Sequence, residues 1–155
     1  MTSPLVYLRQ EQTLIATLLA VLKEEQQHLV GADTERLAEL TPRKAELVEQ
    51  MATLAAQRHA ALGAAGFVAE EAGMEPWLAV AGNDEAAGVW RDVLDQTRAA
   101  KELNRVNGML ITKQMTHTQV LINAMRSPTA AAEAGVYGPS GQTNFGGPSR
   151  RYVLG

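Results

Sequence analysis

The chain of 155 residues contains no cysteine, which excludes a disulfide framework and any thiolate zinc site and fits a reducing compartment. It has no strong charge of either sign: a net charge of −3 lacks the clustered positive field that phosphate binding requires, so nucleic acid is not an expected partner. No apolar run approaches the roughly eighteen residues of a membrane span. The opening Met-Thr-Ser-Pro-Leu also lacks the basic and apolar regions of a secretory signal. Together these predict no membrane insertion and a cytosolic location. Catalytic patterns are missing as well. There is no Gly-x-Ser-x-Gly and no thiol nucleophile for a histidine to activate. Gly138-Pro139-Ser140-Gly141 is not followed by the Gly-Lys-Ser/Thr of a phosphate-binding loop. Neither an enzyme nor a cofactor is expected.

Glu25-Gln26-Gln27-His28 has the Glu-x-x-His spacing that helical di-iron sites use to aim two ligands at one metal. Such sites need a second copy. Ala56 stands three before His59 and Gln114 three before His117, so the second copy is missing and no metal site is expected.

Aromatic residues make up only 5% of the chain, and Ala, Leu, Glu, Gln and Arg dominate, as in helical bundles and coiled coils. No proline falls between Pro76 and Pro128. Within that interval residues 83–126 read as one helix. Trp90, Thr97, Asn104, Ile111, Thr118 and Met125 stand seven apart, with Val93, Leu94, Ala100, Asn107, Met115, Leu121 and Ile122 at the intervening helical offsets. Such a helix would be about 65 Å long and would need partners along its side. Asn83, Asp84 and Glu85 supply its cap and favourable first-turn charge.

Two other stretches supply those partners. Over 5–30, Leu8, Ile15, Leu22 and Leu29 recur every seven residues with Leu18 and Leu19 between them, while Glu11, Gln12, Glu25 and Gln26 form a polar seam. Gly31 ends this helix and Asp33 caps the next. The short turn favours an antiparallel neighbour. In the second helix Leu40, Leu47, Leu54 and Ala61 carry the stripe, flanked by Leu37, Val48, Met51, Ala55 and Leu62. Pro42 implies either a kink or a fresh start with Thr41 as the cap. Gly63 and Gly66 stop the helix, and a short helix over 76–81 turns Trp77 and Leu78 inward.

The expected fold is therefore all-α: an elongated antiparallel bundle of three long helices plus a short helix over 1–126, and a flexible Gly/Pro-rich C-terminal tail over 127–155. The tail has too little apolar surface to fold alone. If it is held, Phe145, Tyr152 and Leu154 are the residues to occupy a groove of the same or a neighbouring chain.

The long helix carries an oddity, since Thr97, Asn104, Asn107, Gln114 and Thr118 sit where its heptad would bury them. Two readings remain open: register-setting residues, or a half-wet groove that accepts another protein's helix. Leu103, Val106 and Leu110 widen the apolar face beyond what two other long helices cover, leaving part for a partner. A structural coiled-coil protein that homo-oligomerises through that wide apolar face, as a homodimer for instance, is the alternative.

Several of these features in order resemble the FlgN family of flagellar type III export chaperones. They are the long helix, the acidic turn at Asp33, Leu37 and Leu40 before Lys44-Ala45-Glu46-Leu47, then Leu103-Asn104 and Asn107-Gly108 in a long last helix. Val136-Tyr137-Gly138-Pro139-Ser140-Gly141-Gln142-Thr143 follows. The resemblance implies a bacterial cytoplasmic protein that binds the C-terminal amphipathic helices of hook-filament junction (hook-associated) proteins. It would prevent their premature assembly and deliver them to the export gate. On the long helix Leu110, Ile111, Leu121, Ile122 and Met125 are the expected client-binding residues. By the matching tail motif, docking at a gate component falls on Tyr137, Gly138 and Pro139. The extension Arg150-Arg151-Tyr152-Val153-Leu154 departs from the family pattern.

Overall fold

The computed structural model describes residues 2–81 and 83–126, and every regular element in them is helical. The order is α1 (Pro4–Val30), α2 (Thr34–Ala64), a 3-10 turn (Glu71–Gly73), α3 (Met74–Val80) and α4 (Asp84–Arg126). The tail expectations, including Tyr137, Gly138, Pro139, Phe145, Tyr152 and Leu154, lie outside the described residues. Contacts divide the chain between Ile111 and Thr112 into two units. Each is taken by itself.

In the first unit the helix ends follow local chemistry. The Ser3 hydroxyl accepts from the Leu5 amide at the start of α1, with Pro4 at the first helical position, where its missing amide is no loss. Asp33 Oδ1 accepts from the Arg36 amide 3.2 Å away, and Asn83 Oδ1 from the Ala86 amide at 2.8 Å, so both expected caps are in place.

The α1–α2 turn closes differently from the expected glycine stop. Gly31 has an ordinary φ of −83°, and the left-handed residue is Ala32, at φ 54°. The Ala32 amide donates to the Leu29 carbonyl and the Asp33 amide to that of His28, a Schellman closure with alanine where glycine is favoured. A Cβ in this region is crowded by the next carbonyl. Ala32→Gly is therefore expected to raise the unfolding free energy by about 1 kcal/mol in urea titration. At the end of α2 the same closure carries glycine: Gly66 has φ +90° and donates to Gly63, and the Phe67 amide donates to Leu62. Gly73 meets a different constraint, since a Cβ there would stand 2.0 Å from the Val68 carbonyl oxygen. Only glycine lets the loop fold back so tightly before α3.

Helix α2 runs through Pro42 without a fresh start. The Thr41 hydroxyl donates to the Leu37 carbonyl at 3.0 Å instead of capping a new helix. The ring forfeits one helical hydrogen bond, which the solvent-facing position of Pro42 lets water compensate.

Side-chain pairs give the directions of packing in this unit. Glu11 meets Arg58 and Glu25 meets Lys44, so α1 and α2 run in opposite senses. Arg9 pairs with Glu85, Gln12 donates to Asp92 at 2.7 Å, and Asn107 reaches Leu22 and Glu25, so this part of α4 runs in the same sense as α1. Two apolar clusters lie along α1. One gathers Leu8, Leu62, Met74, Trp77, Ala86, Trp90 and Val93, with the half-buried Leu78 against it; the other gathers Ile15, Leu18, Val21, Leu22, Leu40, Leu47 and Ala100. The heptad residues of α1 contribute to both, Leu8 to the first and Ile15 and Leu22 to the second. The inward Trp77 is as the sequence implies, although its helix begins at Met74 rather than Pro76.

The hydropathy of α1 corrects one expectation. An 18-residue window of this helix has a mean hydropathy of 1.2, enough by length and composition to cross a membrane. Leu8, Ile15, Leu18, Val21, Leu22 and Leu29 of this helix are buried in the protein core, with the carboxylates of Glu11 and Glu25 paired among them.

Candidate docking surface

Arg58 ties the first unit together at one end. Its guanidinium is 2% exposed and grips Glu11 of α1 through Nε at 2.6 Å and Nη2 at 3.2 Å. Nη2 also donates to Glu71 at 2.6 Å, and the group lies 4.9 Å from the centre of the Trp90 ring of α4. Burial lowers the pKa of Arg58, but its bonds to Glu11 and Glu71 outweigh burial and leave it raised. Burial likewise pushes the Glu71 carboxyl up. The bonds from Arg58 and His59 outweigh that and hold it below its usual 4.5. A carboxylate with a depressed folded pKa stabilises above the unfolded value, and that stabilisation is lost as pH falls through the folded one. Glu71 is half exposed, so this acid-sensitive contribution is small.

The second polar centre is built on the carboxylate of the Glu-x-x-His unit. Glu25 accepts from Lys44 at 3.2 Å and from Asn107 Nδ2 at 2.8 Å, and the same Asn107 amide donates to the Leu22 carbonyl at 2.9 Å. These donors occupy the carboxylate. His28 Nε2 lies 3.6 Å from Glu24, His59 faces Glu71 at 3.0 Å and His117 is exposed. No group of three or more potential metal ligands occurs among the described residues.

Of the five polar heptad residues of α4, only Asn107 is buried, at 0% exposure, and it sets the register against α1. Thr97 and Gln114 are half-buried, and Asn104 and Thr118 face solvent, contrary to the burial their heptad positions imply. Along α4 the row Ala86, Val93, Ala100 and Asn107 stays buried at seven-residue spacing, while the row Trp90, Thr97 and Asn104 passes from buried to exposed.

The apolar residues of α4 separate in the same way. Trp90, Val93 and Ala100 are buried, and Leu103, Val106 and Leu110 are half-buried. At the end of the first unit Ile111 is 38% exposed. In the second unit Met115 (67%), Leu121 (50%), Ile122 (41%) and Met125 (79%) are all exposed, and so is Val120. Leu121, Ile122 and Met125 were expected to be available to a partner, and each presents its side chain to solvent. Met115 belongs beside them. It stands seven before Ile122, a spacing that already marks it in the sequence. Met115, Thr118, Ile122 and Met125 follow a 3-4-3 spacing, the seam along which a second helix packs.

The described residues are thus an all-helical unit cross-linked by buried ion pairs, and a helix end whose apolar seam faces water. The chain belongs to the FlgN family, the family of flagellar export chaperones: the family model described as FlgN protein matches residues 1–144. No match was found among curated proteins or among solved structures.

Proposed function

We propose that the protein is a bacterial cytoplasmic chaperone of type III export that binds the C-terminal amphipathic helices of hook-filament junction proteins. It keeps them from assembling early and brings them to the export gate. The observation that carries this reading is the water-facing apolar seam of 112–126, in a chain of a chaperone family. Leu121, Ile122 and Met125, with Leu110 and Ile111 at the end of the first unit, replace the neighbours that the client helix meets in the assembled filament. Burying such a helix yields roughly 25 cal/mol per Å² before ordering costs, which leaves a modest net affinity and permits release. Tyr137, Gly138 and Pro139 are assigned to gate docking on the family motif alone.

Purification from a flagellated host under native conditions tests this reading. Hook-filament junction subunits are expected to return with the chain near one to one. A stable homodimer returning alone would favour the second reading, which the same seam supports because a 3-4-3 spacing also suits a second copy of α4.

A further inference from the structure

The chain has six methionines and no cysteine, so thioether sulfur is the only sulfur an oxidant can meet in it. Among the described residues these methionines fall into two groups. Met74 is fully buried in the cluster around Trp77, and Met51 is half-buried against the cluster around Leu18. Met109, Met115 and Met125 are exposed, and all three lie on α4 beyond Asn107.

The exposed three do not share a face. Met115 and Met125 are the two ends of the seam that runs through Thr118 and Ile122. Met109, 59% exposed, stands about two and a half helical turns before Thr118, which puts it on the opposite side of α4. Its sulfur is also engaged. Arg105, held by Glu102 through Nε at 3.0 Å and Nη2 at 2.7 Å, donates from Nη1 to Met109 Sδ at 3.0 Å. Met109 is thus an exposed methionine off the seam, and Met115 and Met125 are exposed methionines on it.

We infer that Met115 and Met125 are oxidation sites that make docking at the seam redox-sensitive, with a peroxide as the oxidant. This deepens the client reading above and rests on it. A thioether attacks hydrogen peroxide through a sulfur lone pair: an S–O bond forms, the O–O bond breaks, sulfur gives up two electrons and the second oxygen leaves as water. The sulfoxide is polar and accepts hydrogen bonds. In the free protein that change disturbs no packing, because both side chains already face water. Under an apolar helix the new oxygen would be covered without a donor, which opposes docking. A thiol-dependent sulfoxide reductase reverses the step, with two thiols becoming a disulfide and the oxygen leaving as water. Leucine would give the seam nearly the same apolar volume, so the oxidisable sulfur is what methionine adds.

Graded hydrogen peroxide treatment of the full-length protein, with peptide mapping by mass spectrometry, tests the sites. Met115 and Met125 are expected to become sulfoxides while Met51 and Met74 stay reduced and helical circular dichroism is unchanged. Calorimetric titration of a synthetic C-terminal helix of a hook-filament junction protein tests the consequence. Oxidation should weaken its binding by about tenfold or more, and treatment with a sulfoxide reductase and thiol should restore it. The double variant Met115→Leu with Met125→Leu should bind as wild type does and keep that affinity after the same peroxide treatment, although Met109 remains open to oxidation. Oxidation of Met51 or Met74 ahead of Met115 and Met125 overturns the inference. Unchanged affinity of the oxidised wild type overturns it and leaves the client reading standing, and so does an equal loss of affinity in the double variant. No binding before peroxide is added overturns the client reading and the inference with it.

Discussion

Glu11→Ala is expected to lower the unfolding free energy by about 3–5 kcal/mol, measured by urea denaturation. The substitution leaves the Arg58 guanidinium, 2% exposed, without the carboxylate that holds two of its nitrogens. Nη1 of Arg58 already has no hydrogen-bond partner, and Glu71 engages only Nη2 from a half-exposed position. Water has no easy route to the remaining charge, because Trp90 covers it and the Leu62–Met74–Trp77 cluster surrounds Trp90. Removing both charges is a different matter. Glu11→Leu with Arg58→Met exchanges the pair for apolar volume and should recover most of the loss, since a buried ion pair offsets little more than its own desolvation. A cost below about 1 kcal/mol for Glu11→Ala would show that the guanidinium is solvated and that the pair is not the clamp described here.

Leu121→Asp should cut binding of a junction-protein helix by about a hundredfold or more, while helical circular dichroism and the unfolding midpoint stay the same. The two effects separate because the side chain is 50% exposed in the free protein. A carboxylate there remains hydrated until a partner covers it, and a covered, unpaired carboxylate costs several kcal/mol. Val6→Asp serves as the control, at a similarly exposed valine in the first turn of α1, where an acidic residue suits the helix dipole. It should leave binding intact. Equal binding by wild type and Leu121→Asp would move the docking surface away from this part of α4.

Much of the architecture was readable before any coordinates because it is decided within a few residues of chain. The Asp33 and Asn83 caps, the heptad leucines of α1 and the unbroken helix after Asn83 all follow from local chemistry and helical period. The apolar character of Leu121, Ile122 and Met125 was likewise readable from the helical period, and the structure exposes all three. The family was legible in the order of the motifs, and the match over 1–144 bears that out.

Other features depended on residues far apart in sequence. Glu11 and Glu25 read as interruptions of an apolar stripe, yet they are paired residues of the core, because Arg58, Lys44 and Asn107 arrive from other helices to meet them. No periodicity of α1 contains that information. Asn104 and Asn107 looked equivalent in the heptad of α4, and only the packing of α4 on α1 buries one and leaves the other in water: the seven-residue row through Ala86, Val93, Ala100 and Asn107 stays covered, while the row through Trp90, Thr97 and Asn104 runs out into solvent. At the first turn, Ala32 rather than Gly31 takes the left-handed conformation, because the closure is set by which amides meet the last carbonyls of α1. The sequence by itself thus determined where the long helices begin and which side chains seek cover. The tertiary structure decided which of them find it, since burial and pairing belong to the surfaces that meet and not to the strand of chain that carries them.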